Sequence, residues 1–316
     1  MKESDSRVVK PRRLQKGDTI GIVAPAWSFD QEEFMEGVNK IEQLGYRVKY
    51  DRSIFKKYWS MAGMDKWRAQ QVTEMFGDSE VKAIFCANAG YGSIRTLPYL
   101  DKRAVRHHPK IFVGYSDVTI LLAYLRRIAR MVVFHGPVVA GEIHDGMNQA
   151  TLNYLLKAIS STSPIGIIKT PSLRSLRPGN ASGVLVGGNL SMLISSIGTP
   201  YEVDTGNKIL FLEEINESFE VIDNHLMQLK LSGKVKHIKG LILGQLINCK
   251  DTSGSNFSIG DVIDDLFAGI DIPVIYGFPS GHQAKDGLNI TLPFGITATL
   301  NADDPQLIIH GAGVSE

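Results

Sequence analysis

The sequence predicts an α/β protein with two domains: a doubly wound parallel sheet in the N-terminal half, and a smaller, strand-rich mixed α/β domain in the C-terminal half. In the first half, short apolar runs alternate with helical patterns, which is typical of parallel strands joined by crossover helices. In the second half, short apolar runs follow one another with short turns, which favours antiparallel pairing. The length of 316 residues suits two domains better than one.

The elements of the first half can be assigned in order. The helix at 32–44 has apolar residues at helical spacing, among them Phe34, Val38 and Ile41, and Gly45 ends it. The other segments are apolar or alternating runs of strand length, and a second helical pattern. They are strands at 19–24, 46–50, 81–86, 110–114 and 131–134, and a helix at 65–76.

The second half begins after a predicted helix at 149–159. We interpret the polar, proline-bearing stretch 161–180 as a connection, which divides the chain into domains 1–160 and 181–316. The close spacing of the last three apolar runs predicts that they pair with one another. The predicted strands are 183–188, 208–212, 240–244, 273–277, 288–292, 296–300 and 306–309, and 219–231 is a predicted helix.

Composition and short motifs exclude several classes of partner and cofactor. The net charge of +1 gives no electrostatic case for a nucleic-acid or anionic-membrane partner. The two cysteines, Cys86 and Cys249, imply no disulfide framework, and the charged N-terminus has no apolar signal segment, so we expect a cytoplasmic protein. Metal-binding, Walker and dinucleotide motifs are absent from the sequence, so no metal or cofactor is expected.

Ser116 is the first candidate catalytic residue. The tetrapeptide Gly114-Tyr115-Ser116-Asp117 lies between a strand pattern and a helix pattern, which is the context of a nucleophile elbow. The backbone N–H groups that open the helix lack intrahelical partners and can receive negative charge. The alternative is that Ser116 only caps the helix.

A nucleophilic serine needs a base and an orienting acid. His282 is the best candidate of the eight histidines because it follows a strand and a sharp turn. His135 ends a strand and could approach the site, but a structural role is favoured for it. The acid is Glu213 or Glu214, unless both are ordinary loop carboxylates. The N–H of Asp117 and a glycine N–H in the loop 89–92 can form an oxyanion hole.

Several ordered motifs together resemble the LD-carboxypeptidases, a family that includes muramoyltetrapeptide carboxypeptidases and microcin C immunity peptidases. The motifs run almost from end to end of the chain. They are Gly17-Asp-Thr-Ile-Gly-Ile-Val-Ala-Pro-Ala26, Ala83-Ile-Phe-Cys-Ala-Asn-Ala-Gly-Tyr-Gly92, Gly114-Tyr-Ser-Asp117, His135-Gly-Pro137, Gly183-Val-Leu-Val-Gly-Gly-Asn-Leu190, Leu210-Phe-Leu-Glu-Glu214 and Pro279-Ser-Gly-His282.

The resemblance implies a flavodoxin-like N-terminal domain and a catalytic triad. Ser116 would be the nucleophile, His282 the base and Glu213 the acid, with Gly90 and Asp117 as oxyanion donors. The choice of Glu213 over Glu214 comes from the family. Two departures stand out, since the family loop usually has Arg-Gly where this chain has Asn88-Ala89, and Glu-Asp where it has Glu213-Glu214.

The implied activity is a serine carboxypeptidase that releases D-alanine from a murein tetrapeptide in peptidoglycan recycling. The implied partner is the murein peptide, and a homodimer is compatible with the sequence. Two alternatives remain open. One is an immunity-type peptidase that cleaves peptide–nucleotide conjugates, and the other is a binding protein that has lost catalysis and recognises murein peptides.

Overall fold

A computed structural model describes residues 8–283 and 287–316; the charged segment 1–7 lies outside the described residues. The strands are β1 (Thr19–Val23), β2 (Arg47–Lys49), β3 (Val81–Cys86), β4 (Ile111–Gly114), β5 (Val133–His135), β6 (Gly166–Ile168), β7 (Arg174–Arg177), β8 (Asn180–Asn189), β9 (Lys208–Ile215), β10 (Gly240–Ile247), β11 (Val274–Phe278), β12 (Leu292–Phe294), β13 (Thr297–Asn301) and β14 (Gln306–Ile309). The helices are α1 (Gln31–Gln43), α2 (Asp65–Gly77), α3 (Lys102–His107), α4 (Thr119–Ala129), α5 (Gln149–Ser160), α6 (Leu190–Ser196), α7 (Phe219–Leu231) and α8 (Ile259–Leu266).

The first sheet has the strand order β12-β5-β4-β3-β1-β2. Its five strands from the N-terminal half pair in parallel, which confirms the predicted parallel sheet. Strands β1 and β4 are buried along their whole length. Such strands read as continuous apolar runs because both faces of a parallel sheet are covered.

The sixth strand of this sheet comes from the C-terminal half. Strand β12 pairs antiparallel with β5, with Leu292 opposite His135. The prediction that the last three runs pair with one another is therefore wrong for the first of them, while β13 and β14 do pair antiparallel. Gly295, at φ +109°, turns the chain between β12 and β13. Turn length alone cannot show that two successive strands enter different sheets.

The second sheet is mixed and has the order β6-β14-β13-β8-β9-β10-β11-β7. Its central strands β8, β9, β10 and β11 are parallel, and antiparallel strands flank them. The stretch 161–180, which we interpreted as a connection, contains the edge strands β6 and β7. The domain boundaries themselves stay a prediction.

The two faces of the second sheet pack against different partners. Along β9, Ile209 and Phe211 belong to the large core that also contains the first sheet. Leu210 and Leu212 belong to a second core, formed with α6, α7 and α8. Side chains alternate between the two faces of a strand. The next two residues of β9 therefore face opposite ways, with Glu213 toward the first half of the molecule.

Candidate active site

Ser116 lies on a strained turn. Between β4 and α4, residues Ser116–Val118 form a single 3₁₀ turn, and Ser116 has φ +57°. This left-handed conformation is unfavourable for residues other than glycine. The Ser116 side chain does not cap the helix, because Val118 occupies the N-cap position of α4 and no side chain caps it. The capping alternative is therefore wrong, and the geometry matches the predicted strand–turn–helix elbow.

Asp117 fastens the glycine loop 89–92 to this turn. Its carboxylate accepts hydrogen bonds from the N–H groups of Gly92 (3.2 Å) and Ser93 (2.8 Å), and the Ser93 hydroxyl donates to its carbonyl oxygen (2.5 Å). Burial raises the pKa of the Asp117 carboxyl, and the hydrogen bonds from Ser93 and Gly92 oppose that rise. The carboxylate thus acts as a rigid link between the two predicted oxyanion donors, its own N–H and that of Gly90.

Gly90 has no room for a side chain. It has φ +99°, and a Cβ atom there would clash with the indole ring of Trp27. In the loops that the structure describes, neither the Gly90 N–H nor the Asp117 N–H donates a hydrogen bond to a backbone carbonyl. Asn88, one of the two departures from the family pattern, is held within the loop. Its Oδ1 accepts from the Ala89 N–H (2.8 Å), and its Nδ2 donates to the Ser28 carbonyl (3.4 Å).

His282 and Glu213 form a buried acid–base pair. His282 Nδ1 lies 2.7 Å from Glu213 Oε2, and the His282 backbone N–H donates to the same oxygen (3.3 Å). Their side chains are 15% and 0% exposed. Burial lowers the pKa of His282, but the hydrogen bond and negative charge of Glu213 outweigh it, so the pKa is raised overall. A carboxylate at Nδ1 assigns the proton to that nitrogen and leaves Nε2 as the basic atom.

The two adjacent glutamates have different surroundings. Glu214 Oε1 accepts from Asn189 Nδ2 (2.9 Å) and from the Ile215 N–H (3.0 Å). Its Oε2 accepts from the N–H (2.9 Å) and the hydroxyl (2.6 Å) of Ser191. Glu214 is thus saturated by structural contacts, and only Glu213 reaches the histidine. The structure places beside His282 the glutamate that the family resemblance selects.

Two glycines make room for Glu213. A Cβ atom at Gly281 would lie 2.7 Å from Glu213 Cδ, and one at Gly244 would lie 2.8 Å from Glu213 Cβ. Gly281 also has φ +90° and directly precedes His282. The Ser-Gly-His sequence therefore serves both to bend the chain and to let the carboxylate approach the imidazole.

The turn of Ser116 lies beside the acid–base pair. The ring of Tyr115, the residue before Ser116, lies 5.0 Å from the His282 ring, measured between centroids. On the next turn of the chain, Thr119 Oγ1 accepts from the Asn189 N–H (3.0 Å) at the end of β8. These contacts join the carboxyl ends of the parallel strands of both sheets, where α/β proteins bind ligands.

Tyr115 and Glu142 belong to this site and were not found from the sequence. The Tyr115 hydroxyl donates to Glu142, whose other oxygen accepts from the Val138 N–H (3.1 Å). Burial raises the pKa of Glu142, and the hydrogen bond from Tyr115 opposes it. Glu142 lies in the irregular segment Val139–Ile143, in which the backbone of Ala140 and Gly141 is not helical. No pattern in the sequence marks such a segment.

His135 takes the structural place expected for it. Its ring is fully buried beside the rings of Phe211 and Phe294, each 5.4 Å away. Burial lowers its pKa to about 3, so the ring is neutral. In the described parts of the chain, neither ring nitrogen has a hydrogen-bond partner.

Within residues 8–283 and 287–316, no three side chains of His, Cys, Asp or Glu lie close enough together to hold a metal ion. In the same residues, no helix combines the length and the apolar character needed to cross a membrane.

Known proteins resemble this chain along nearly its whole length. Residues 20–136 match the model of the LD-carboxypeptidase N-terminal domain, and residues 182–300 match that of the C-terminal domain. A probable murein peptide carboxypeptidase of Bacillus subtilis is 37% identical over 97% of this chain and 96% of its own. The microcin C7 self-immunity protein MccF of Escherichia coli is 28% identical, covering 94% of each chain.

A solved structure agrees in fold. The crystal structure of muramoyltetrapeptide carboxypeptidase from Oxalobacter formigenes superposes with a TM-score of 0.83 at 29% identity. The match covers 93% of this chain and 99% of that one. With both family models matched in order and a relative at 37% identity, the chain belongs to the LD-carboxypeptidase family and is a serine-type carboxypeptidase.

Proposed function

We propose that this protein hydrolyses the L,D-peptide bond of a murein tetrapeptide and releases the C-terminal D-alanine, in cytoplasmic peptidoglycan recycling. The observation that carries the proposal is the buried Glu213–His282 pair, 2.7 Å apart, beside the strained turn of Ser116. The names of the relatives, among them a murein tetrapeptide carboxypeptidase of Pseudomonas aeruginosa, support the substrate class.

In the proposed reaction Ser116 Oγ attacks the carbonyl carbon before the terminal residue. His282 Nε2 takes the hydroxyl proton and then gives it to the leaving amine of D-alanine, which breaks the C–N bond. Water, deprotonated by the same nitrogen, then attacks the acyl-enzyme, and the imidazolium returns the proton to Ser116 Oγ as the C–O bond of the ester breaks and the peptide leaves. Each half-reaction returns the imidazole to its neutral form, so no cofactor is consumed.

Glu213 stabilises the imidazolium that forms in each step. It is fully buried and contacts both Nδ1 and the backbone N–H of His282, so it fixes the ring orientation as well as its charge. The Gly90 and Asp117 N–H groups would hold the oxyanion, since the Asp117 carboxylate ties their loop to the serine turn. In this proposal, domain 1–160 supplies the nucleophile and domain 181–316 supplies the acid–base pair.

The proposal is tested with a panel of peptides that differ only at the terminal residue. We expect release of D-alanine from the tetrapeptide, little release of L-alanine from its epimer, and no cleavage when the terminal carboxylate is amidated. An L-residue exchanges side chain and carboxylate in the pocket, which leaves a buried polar group unpaired, and such mispairing discriminates strongly. Products are identified by mass. Comparable rates on both epimers would reduce the assignment to a serine hydrolase of unknown substrate.

The same assay separates the alternatives. The relationship to the microcin C7 self-immunity protein favours including a peptide–nucleotide conjugate in the panel. Cleavage of that conjugate in preference to the tetrapeptide would support the immunity-type activity. Binding of the tetrapeptide without any product would support the non-catalytic alternative. Light scattering of the same preparation tests whether the protein forms the homodimer that is compatible with its sequence.

A further inference from the structure

Arg68, on α2, has one of the largest side chains that are fully buried in the described residues. A buried guanidinium is costly unless its charge is paired and its N–H groups have acceptors. A buried ion pair is weak evidence for stability, because hydrophobic residues of similar volume often stabilise a core equally well. The contacts of Arg68 therefore indicate its role better than its burial does.

All three guanidinium nitrogens of Arg68 have partners. Nε donates to the Gly63 carbonyl (3.1 Å), and Nη1 donates to the carbonyls of Gly92 (2.9 Å) and Pro25. Nη2 is paired with the Asp65 carboxylate, which balances the charge. The planar guanidinium holds several acceptors in fixed directions, which the single ammonium group of a lysine cannot do. Arg68 thus fixes three loops relative to one another.

The contact with Gly92 completes a clamp on the loop 89–92. Arg68 holds the Gly92 carbonyl, and the Asp117 carboxylate accepts from the Gly92 N–H (3.2 Å). Gly92 has φ +115°, and a Cβ atom there would lie 3.2 Å from Arg68 Nη1. One end of the loop is therefore held from two sides, by a cation and by an anion.

The contact with Pro25 acts on the other side of Gly90. Pro25 lies two residues before Trp27, whose N–H donates to the carbonyl that precedes Gly90 (3.1 Å). The Trp27 indole is so close to Gly90 that a Cβ atom there would clash with it. Gly90 therefore lies between two segments that Arg68 holds, one at Pro25 and one at Gly92. A shift of either segment would move the Gly90 N–H relative to the serine turn.

We propose that Arg68 is a positioning residue for the oxyanion hole, and that it fixes the Gly90 N–H where the oxyanion forms beside Ser116. The inference rests on the proposed function, in which Gly90 and Asp117 hold the oxyanion. Because Arg68 is 0% exposed, it cannot itself touch the substrate. Oxyanion donors act mainly in the transition state, so their displacement lowers kcat more than it raises KM.

The first test measures cleavage of the tetrapeptide by Arg68→Lys. Lysine keeps a positive charge for Asp65 but cannot reach all the acceptors of the guanidinium. We expect kcat to fall between about 10- and 100-fold, the effect of a small misplacement of a catalytic group, and KM to change less than about twofold. The acidic limb of the pH profile should stay where it is in the parent, because the contact between Glu213 and His282 is unchanged. Arg68→Met should lower kcat further.

The matched control is Lys110→Met. Lys110 is also a buried cation, 8% exposed, and its Nζ donates to the carbonyls of Met75 (2.8 Å) and Asp78. It directly precedes β4, at the end of that strand opposite to Ser116. Lys110→Met should lower the melting temperature and leave kcat unchanged. An equal fall of kcat in Lys110→Met and Arg68→Met would overturn the proposal, because activity would then simply follow stability. A rise of KM at constant kcat in Arg68→Lys would overturn it as well.

The second test does not depend on the peptide. With a fluorophosphonate, Ser116 Oγ forms a bond to phosphorus, His282 takes the hydroxyl proton, and the P–F bond breaks to release fluoride. Charge develops on the phosphoryl oxygen, which the same N–H groups would hold. We expect Arg68→Lys to be labelled between about 10- and 100-fold more slowly than the parent, and Lys110→Met at the rate of the parent. The mass of the intact protein follows the labelling.

The two tests separate this inference from the proposed function. Cleavage of the tetrapeptide with an unchanged kcat in Arg68→Lys overturns the positioning role and leaves the proposed function standing. A parent that is labelled but does not cleave the tetrapeptide overturns the proposed function, and the labelling rates then decide the role of Arg68. A parent that cleaves but is not labelled leaves that decision to kcat. A parent that is neither labelled nor active overturns both, since Ser116 would not be a nucleophile.

Discussion

The two halves of the candidate active site are held in place by different means. In the N-terminal half, the turn of Ser116 and the neighbouring loop are shaped by the backbone: Ser116 is left-handed, and a Cβ atom at Gly90 would clash with Trp27. In the C-terminal half, side-chain hydrogen bonds position the catalytic groups. Glu213 is bonded to His282, and Glu214 is bonded to Asn189 and Ser191. The nucleophile is thus placed by conformation, and the base by electrostatic contacts.

This difference predicts which changes each half tolerates. A backbone-defined turn keeps its shape when a side chain is shortened, so substitutions of Ser116 should remove chemistry without removing structure. A buried carboxylate network depends on every acceptor, so even a change from carboxylate to amide should alter either chemistry or stability. Four substitutions test this difference between the two halves, from the largest expected effect to the smallest.

Ser116→Ala should lower kcat by at least ~10³-fold, because members of a catalytic triad act as a unit. The melting temperature should change little, since the side chain caps no helix. Steady-state kinetics and thermal unfolding measure the two effects. Turnover near that of the parent would show that Ser116 is not the nucleophile.

Glu213→Gln should lower kcat/KM by about 10²-fold and also shift its pH dependence. Protonated His282 cannot act as a base, so activity of the parent rises with pH through the His282 pKa, which Glu213 holds above its usual value of 6.5. A neutral amide no longer favours the imidazolium, so the acidic limb of the profile should move to lower pH. An unmoved limb would show that another group sets the pKa.

Glu214→Gln should destabilise the protein and leave kcat near the parent value. The carboxylate accepts four hydrogen bonds, and an amide nitrogen cannot accept the two made to one of its oxygens. Loss of buried partners of this kind costs about 1–3 kcal/mol in the free energy of unfolding. Denaturant titration measures it, with Glu213→Gln as the matched control. A large loss of kcat without destabilisation would mean that the roles of the two glutamates are reversed.

Ser116→Gly should be more stable than Ser116→Ala by up to about 1 kcal/mol, although both are inactive. Glycine adopts φ +57° without the steric cost that any Cβ atom brings. Chemical unfolding of the two variants gives the difference. Equal stability would show that the elbow stores no strain and that its shape is not the controlling feature of this half.

Most of the secondary structure, and the turn of Ser116, could be predicted from the sequence because the patterns that indicate them are local. Alternating strand and helix signals located the first sheet, and the strand–turn–helix context of Ser116 predicted its elbow. The choice between Glu213 and Glu214 could not be made from periodicity. Residues 209–212 are all apolar, so they show no alternation that would indicate which face of the strand each side chain occupies. Tyr115 and Glu142 were missed because they meet only through tertiary contact.

Strand β12 has a consequence for how the chain folds during synthesis. Leu292–Phe294 pairs with the edge of β5. The first sheet therefore cannot be completed until this segment, near the other end of the chain, has been synthesised. Until then a growing chain presents an unpaired strand edge, which is a template for aggregation. A fragment of residues 1–160 contains the turn of Ser116 but lacks the strand that completes its sheet. We expect that fragment to be insoluble when expressed alone, and the full chain to unfold in one cooperative transition.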